Sequence, residues 1–516
     1  EKANGVSARC RGCYVAIVTQ RTLGGPSARG RVGLVLGGVL FLLMLILPAP
    51  AGLGAAAWRV AAAGVLMATW WVTEAIPIPA TALLPLGLFP LLGVADIRDA
   101  AAPFANPIIY LFLGGFLIAR AMETTGLPRR IALSSIRLLG ARPRSIIAGV
   151  MVSCAFLSMW VSNTATALMM LPIGLSLVAL MPDGNEEGSS DERADAEAAA
   201  EKRRFGTALM LGIAYACSIG GMGTLIGTPP NAFLAGFMLE SYGVTIGFAE
   251  WMLLGIPLVL VGLPLCYLVL TRIAFPVHSR ELPGGRELVD READALGPLS
   301  RAERRVAAVF VLTALTWMTR PILVENVGWL AGLSDAGIAM SAALVLFVLP
   351  SGEPGGKRLL DWKQARETPW GVLVLFGGGL SLAAAVEVTG LSTWLGTGVG
   401  GLTHWPLPLL MLAVVIAVIL LTELTSNTAT AATFLPVLGG VALGLGRDPL
   451  LLAVPAALAA SGAFMLPVAT PPNAIVYSSR AVGIEDMVRA GMWLNALFAV
   501  LVTLASYLLL PVVFGV

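Results

Sequence analysis

Ser162-Asn163-Thr164-Ala165-Thr166-Ala167 recurs unchanged as Ser426-Asn427-Thr428-Ala429-Thr430-Ala431, an offset of 264 residues (426 − 162). Both copies lie in apolar sequence, where hydroxyl and amide groups must find partners. Such groups can glue helices together or line a site. A second repeated block decides for a site: Thr228-Pro229-Pro230-Asn231 returns as Thr470-Pro471-Pro472-Asn473, offset 242 (470 − 228). Proline donates no backbone hydrogen bond and unwinds a helix that contains it. Gly220-Gly221-Met222-Gly223 loosens the first copy further. Unwound backbone frees carbonyls that can ligate a hard cation such as sodium, and helix N-termini ending there aim N–H dipoles at an anion. Two such half-sites suit one small anion with a carboxylate at each end, flanked by two cations.

Other chemistries lack their reagents. His278 and His404 are the only histidines, and both lie near polar connections, so histidine catalysis and proton relay have nothing to work with. An intramembrane enzyme would need a catalytic dyad or a metal-binding cluster, and the sequence holds neither. The motif blocks contain no Lys or Arg. Glu423, three residues before Ser426, is the ionisable group closest to a site. It reads as a structural acid bonded to backbone at a helix break, with direct coupling as the alternative. Cys154, Cys217 and Cys266 lie in apolar segments as packing residues. Cys10 and Cys13 form a C-x-x-C without the second pair that zinc requires.

The elements that must hold these groups belong to a membrane. Hydrophobic residues make up 57% of the 516 positions and charged residues 12%, against roughly 25% charged in a soluble chain. Apolar runs at 32–47, 251–270, 306–317 and 407–421 approach the ~20 residues that cross a bilayer. Solid apolar blocks exclude a transmembrane β-barrel, whose strands alternate. A net charge of +2 gives no reason to expect nucleic acid as a partner. The expected organisation is a disordered or cytoplasmic tail over 1–30, a first membrane repeat over 31–270, a polar cytoplasmic connection over 271–305 and a second repeat over 306–516. The insert 183–204 is expected to be a surface loop with a short helix. Its length of about 22 residues matches the difference between the two offsets (264 − 242). Gly114-Gly115 and Gly377-Gly378-Gly379 are expected to be turns of short re-entrant hairpins.

Charge predicts how the halves face. Arg129, Arg130, Arg137, Arg142 and Arg144 follow the first Thr-Gly-Leu, whereas 392–445, after the second, holds no Lys or Arg. Basic loops stay cytoplasmic, so equivalent positions lie on opposite faces and the repeat is inverted. Lys357, Arg358, Lys363 and Arg366 run against this pattern unless they belong to an amphipathic helix on the outer surface.

At these residues the chain resembles the divalent-anion:sodium symporter family. The likeness runs from about residue 32 to the C-terminus. It rests on Trp70-Trp71-Val72-Thr73-Glu74-Ala75-Ile76-Pro77, both Ser-Asn-Thr motifs, the glycine pairs and both Thr-Pro-Pro-Asn blocks. The resemblance implies an all-α polytopic protein of the inner (plasma) membrane, a homodimer with scaffold and transport domains that works as an elevator. It implies sodium-coupled uptake of C4-dicarboxylates such as succinate, malate and fumarate. Family members also include sodium-independent exchangers, in which basic side chains stand in for the cations, and carriers of sulfate or citrate. Carried onto this sequence, one sodium site would use Ser158, Ser162, Asn163 and Gly227, and the other Thr422, Thr425, Asn427 and Ala469. The substrate would meet Ser162, Asn163, Thr164, Thr228 and Pro229 from one half, and Ser426, Asn427, Thr428, Thr470 and Pro471 from the other.

Overall fold

The structure is a computed structural model that describes residues 28–140, 142–181, 192–278, 285–352, 356–398, 401 and 404–516. Cys10, Cys13 and nearly all of the expected tail lie outside them. Backbone polar groups have no water to bond in a bilayer, so a chain this apolar satisfies them within helices. Among the described residues seven helices are long and apolar enough to span a membrane, among them Ala55–Thr73, Phe248–Ala274, Arg301–Asn326 and Ile484–Phe514. Several others are too short. Pro143–Ser158, Asn163–Ala179, Leu407–Thr422 and Asn427–Gly444 rise about 24–27 Å each, less than the ~30 Å hydrocarbon core.

The short helices form two hairpins whose tips are the Ser-Asn-Thr motifs. Residues 159–162 join the first pair, and residues 423–426 join the second. This corrects the expectation placed on the glycine pairs. Gly114 and Gly115 sit within an unbroken helix, Pro107–Thr125, and Gly377, Gly378 and Gly379 within another, Trp370–Val388. These glycines permit close packing. A Cβ at Gly114 would stand 2.6 Å from Ala339 Cβ, and one at Gly378 would overlap the carbonyl oxygen of Ala82.

The two long helices reveal the symmetry of the halves. Phe112 and Phe376, equivalent under the 264 offset, pack ring to ring at 5.2 Å. Arg120, near the end of the first helix, pairs with Glu367, just before the start of the second. Equivalent helices therefore run antiparallel, and the repeat is inverted.

Beyond them, the helix Leu127–Leu139 lies against Gly285–Asp294 of the connection, through Arg129–Glu292 at 2.6 Å and Arg137–Asp290 at 2.8 Å. Its counterpart Leu391–Thr397 sits at the opposite face, where Trp394 Nε1 donates to Ala51 O at 3.3 Å. The basic segment around Lys357 packs beside the connection. Arg305 Nη1 donates to Pro350 O, and Ser351 N to Lys357 O at 2.8 Å. The segment thus shares the face of the connection. The described part of the polar insert, from Glu192 on, runs directly into a 30-residue helix, Glu192–Gly221.

Candidate functional site

Beside each hairpin tip a helix is interrupted. The first break separates Glu192–Gly221 from Pro229–Tyr242, and the second separates Leu450–Ala460 from Pro471–Ser478. The prolines do not sit in the unwound stretch. They occupy the first two positions of the resumed helix, after extended Thr228 (φ −145°) and Thr470 (φ −138°). Missing N–H groups cost nothing there, and the fixed φ suits helix entry. Ser162, Thr228, Ser426 and Thr470 thus stand at the starts of four helices whose N-termini carry partial positive charge, and the side chains of Ser162 and Thr470 accept a capping bond.

Asn231 and Asn473 brace the breaks. Asn231 Nδ2 donates to Gly221 O at 3.2 Å and Thr224 O at 2.9 Å, and Asn473 Nδ2 to Ala463 O at 3.3 Å and Leu466 O at 3.1 Å. Glycines support both breaks from below. A Cβ at Gly255 would stand 2.6 Å from Met222 O, and one at Gly491 would overlap Phe464 O. The breaks also meet each other. Thr228 Oγ1 lies 3.4 Å from Ser461 Oγ, and Tyr215 Oη donates to Phe464 O at 2.7 Å.

Oxygen atoms gather behind each tip. Ser158 Oγ donates to Asn163 Oδ1. A Cβ built on Gly221 would fall into the cradle formed by that oxygen, at 2.9 Å, Gly227 O, at 3.0 Å, and Asn163 Nδ2, at 3.2 Å. In the second half Thr422 Oγ1 lies 2.7 Å from Asn427 Oδ1 and 2.8 Å from Ala460 O. A hydroxyl has one proton, so it can satisfy only one of these acceptors. Thr425 Oγ1 sits 2.6 Å from Thr430 Oγ1.

Burial sorts the residues singled out in the sequence. Ser158, Gly227, Thr422, Thr425 and Ala469 are buried, together with Thr228, Thr428 and Thr470. Ser162, Asn163, Thr164, Pro229, Ser426 and Asn427 are half-buried, and Pro471 is exposed.

One tip carries a charge. Glu423, 4% exposed, accepts hydrogen bonds from Phe464 N and Met465 N at 2.8 Å, Leu466 N at 3.0 Å and Asn495 Nδ2 at 2.7 Å. It is bonded to backbone at the break, as a structural acid would be. Arg29 was not foreseen near a motif. Its Nη2 donates to Val72 O at 2.5 Å and to Leu424 O at 3.2 Å. Nothing in the local sequence marks this, because Arg29 comes from 395 residues away.

A cavity of about 760 Å³ lies between the first hairpin and the helices Pro107–Thr125 and Leu127–Leu139. Val161, Ala165 and Thr166 line its inner end, and Arg129 and Glu292 stand in its wall. In the second half the equivalent surfaces touch. A Cβ at Gly440 would stand 2.8 Å from Ser392 O, and Gly396 packs directly on Gly444. The residues equivalent to Ser392 and Gly440 are Pro128 and Ser176, and both line the cavity.

The family model described as the sodium:sulfate symporter transmembrane region matches residues 30–515. The chain belongs to this family. Among its relatives, the sodium-dependent dicarboxylate transporter SdcS of Staphylococcus saprophyticus is 43% identical over 486 residues, 94% of this chain and 92% of that protein. SdcS of Staphylococcus aureus strain USA300 is 42% identical over 491 residues, 95% of this chain and 93% of its own length. Among solved structures, the YdaH transporter of Alcanivorax borkumensis superposes with a TM-score of 0.55 at 16% identity, covering 88% of this chain and 98% of that one. MtrF of Neisseria gonorrhoeae gives 0.55 at 14% identity, covering 92% and 94%. These two neighbours share the all-helical transporter fold.

Proposed function

We propose that the chain is a secondary transporter that couples sodium to the uptake of C4-dicarboxylates across the plasma membrane. The observation that carries this reading is the pair of inverted half-sites, each combining a hairpin tip with a broken helix. Four helix N-termini in one cluster offer N–H dipoles to the two carboxylates of a small dianion. At the second tip one hydroxyl proton faces two acceptor oxygens, Asn427 Oδ1 and Ala460 O, and a surplus of oxygens suits a hard cation. Relatives that cover nearly the whole chain are named sodium-dependent dicarboxylate transporters.

In this reading Ser162, Asn163, Thr164, Thr228 and Pro229 face the substrate with Ser426, Asn427, Thr428, Thr470 and Pro471. Ser158, Ser162, Asn163 and Gly227 hold one sodium ion, and Thr422, Thr425, Asn427 and Ala469 hold the other. Cations beside the pocket offset the desolvation and self-repulsion of a dianion in a low dielectric. The cavity beside the first hairpin and the closed seam beside the second describe a state open to the cytoplasm. Exchanging the two arrangements would open the other face, so the hairpins and broken helices move as one transport body against a scaffold, elevator-fashion, in each copy of a homodimer.

Exchange without sodium is the second reading, favoured by Arg29 at the second tip. Its guanidinium is held at Leu424, 58% exposed, whereas Thr422 and Asn427 turn inward to Ala460. Symport therefore fits better. Reconstituted protein should take up labelled succinate when sodium is outside, and not when choline replaces it. Sulfate and citrate in a competition panel separate the remaining substrates. Uptake equal in choline, with succinate-for-succinate exchange intact, would establish the exchanger instead.

A further inference from the structure

The second half-site carries a buried carboxylate that its symmetry mate lacks. Glu423 maps onto Met159 under the 264 offset. At Met159 the tip is tied to its break by a neutral bond, Thr224 Oγ1 donating to Met159 O. At Glu423 the same tie is made by an anion, through three successive backbone N–H groups and one side-chain amide. All four donors are neutral. Among the described residues no Lys, Arg or His forms an ion pair with Glu423, and Arg29 is held at the carbonyls of Val72 and Leu424. Hydrogen bonds stabilise a buried anion without cancelling its charge, and a low dielectric carries that charge to its neighbours. The adjacent residue, Thr422, belongs to the oxygen cluster with Asn427 Oδ1 and Ala460 O.

We infer that Glu423 makes the two cation sites unequal, so that the site at Thr422 and Asn427 fills before the dianion arrives, and the site at Ser158 and Asn163 fills together with it. The first site has no fixed negative charge at its tip and draws its counter-charge from the substrate. Glu423 is thus a positioning residue for the second break and the source of field for the second cation. This rests on the sodium-symport reading above.

The test is equilibrium binding in nanodiscs, with sodium titrated against choline at constant ionic strength. Wild-type protein should bind sodium in two phases, the tighter one independent of succinate. Glu423→Gln should move the tighter midpoint up by about tenfold or more. Glu423→Asp, which keeps the charge, should recover part of the shift. Asn495→Ala removes a donor and keeps the carboxylate, so the tighter phase should hold its midpoint or tighten. A merely structural brace would make Asn495→Ala behave like Glu423→Gln, and that result would overturn the inference. So would an unmoved midpoint in Glu423→Gln. A Glu423→Gln protein that fails to fold leaves the decision to Asn495→Ala. Wild-type succinate binding indifferent to sodium would overturn the symport reading and this inference with it.

Discussion

The two half-sites share a backbone frame and differ in how that frame is held. In the first, a hydroxyl bonds a carbonyl between Thr224 and Met159. In the second, a carboxylate gathers three backbone N–H groups between Glu423 and residues 464–466. Positions 159 and 423 are equivalent, and so are 224 and 466. Inverted symmetry therefore conserves where tip and break meet, while the chemistry of the joint is free to diverge. The same lesson holds at the domain faces. Pro128 and Ser176 stand apart across a cavity, whereas Ser392 and Gly440 touch. Equivalent surfaces in different arrangements are what a protein needs if it is to exchange them.

The comparison can be broken most severely at the asparagines. Asn163→Ala and Asn427→Ala each remove a side-chain oxygen bonded to a buried hydroxyl. Each should cut sodium-driven succinate uptake by about a hundredfold or more, with protein still in the membrane. One variant transporting at the wild-type rate would show that its half-site is helix glue.

The domain faces offer a middle-sized effect. In a background lacking the native cysteines, a cysteine at Ser176, in the cavity wall, should react with a soluble thiol reagent at least about tenfold faster than one at Ser392, 1% exposed. Sodium plus succinate should narrow the ratio as the states exchange. Equal rates throughout would contradict an open first face and a closed second one.

The smallest change concerns the neutral joint. Thr224→Val removes two hydrogen bonds, the one donated to Met159 O and the one accepted from Gly227 N, each worth about 1 kcal/mol, which should lower thermal stability and slow uptake a few-fold. A loss as large as that of Asn163→Ala would show that the neutral joint carries more than a brace.

Much of this was legible in the residues. The Ser-Asn-Thr and Thr-Pro-Pro-Asn blocks announced two symmetry-related helix breaks, and the arginines after the first Thr-Gly-Leu announced inversion. The hairpin turns were misplaced because glycine signals both a turn and a close approach, and local sequence does not separate the two. Gly114 meets Ala339, and Gly378 meets Ala82, from segments far away in the chain. The proline blocks marked the breaks correctly, but they open the resumed helices and do not unwind the old ones. Gly247 and Gly255 align with Gly483 and Gly491 at an offset of 236 (491 − 255), a signal that would have extended the repeat to the supports beneath the breaks. Arg29 and Asn495 reach the second tip only through the tertiary fold, and no spacing rule finds them.

If cations and dianion occupy one paired site, each must strengthen the other by the same factor. The direct measurement is the apparent Kd of succinate for the purified protein as sodium rises, with potassium substituted at equal ionic strength so that screening is constant. The Kd should fall by at least about tenfold with sodium and stay unchanged with potassium, mirrored by a sodium midpoint that falls when succinate is added. A succinate Kd that is the same in sodium and in potassium would contradict the paired site.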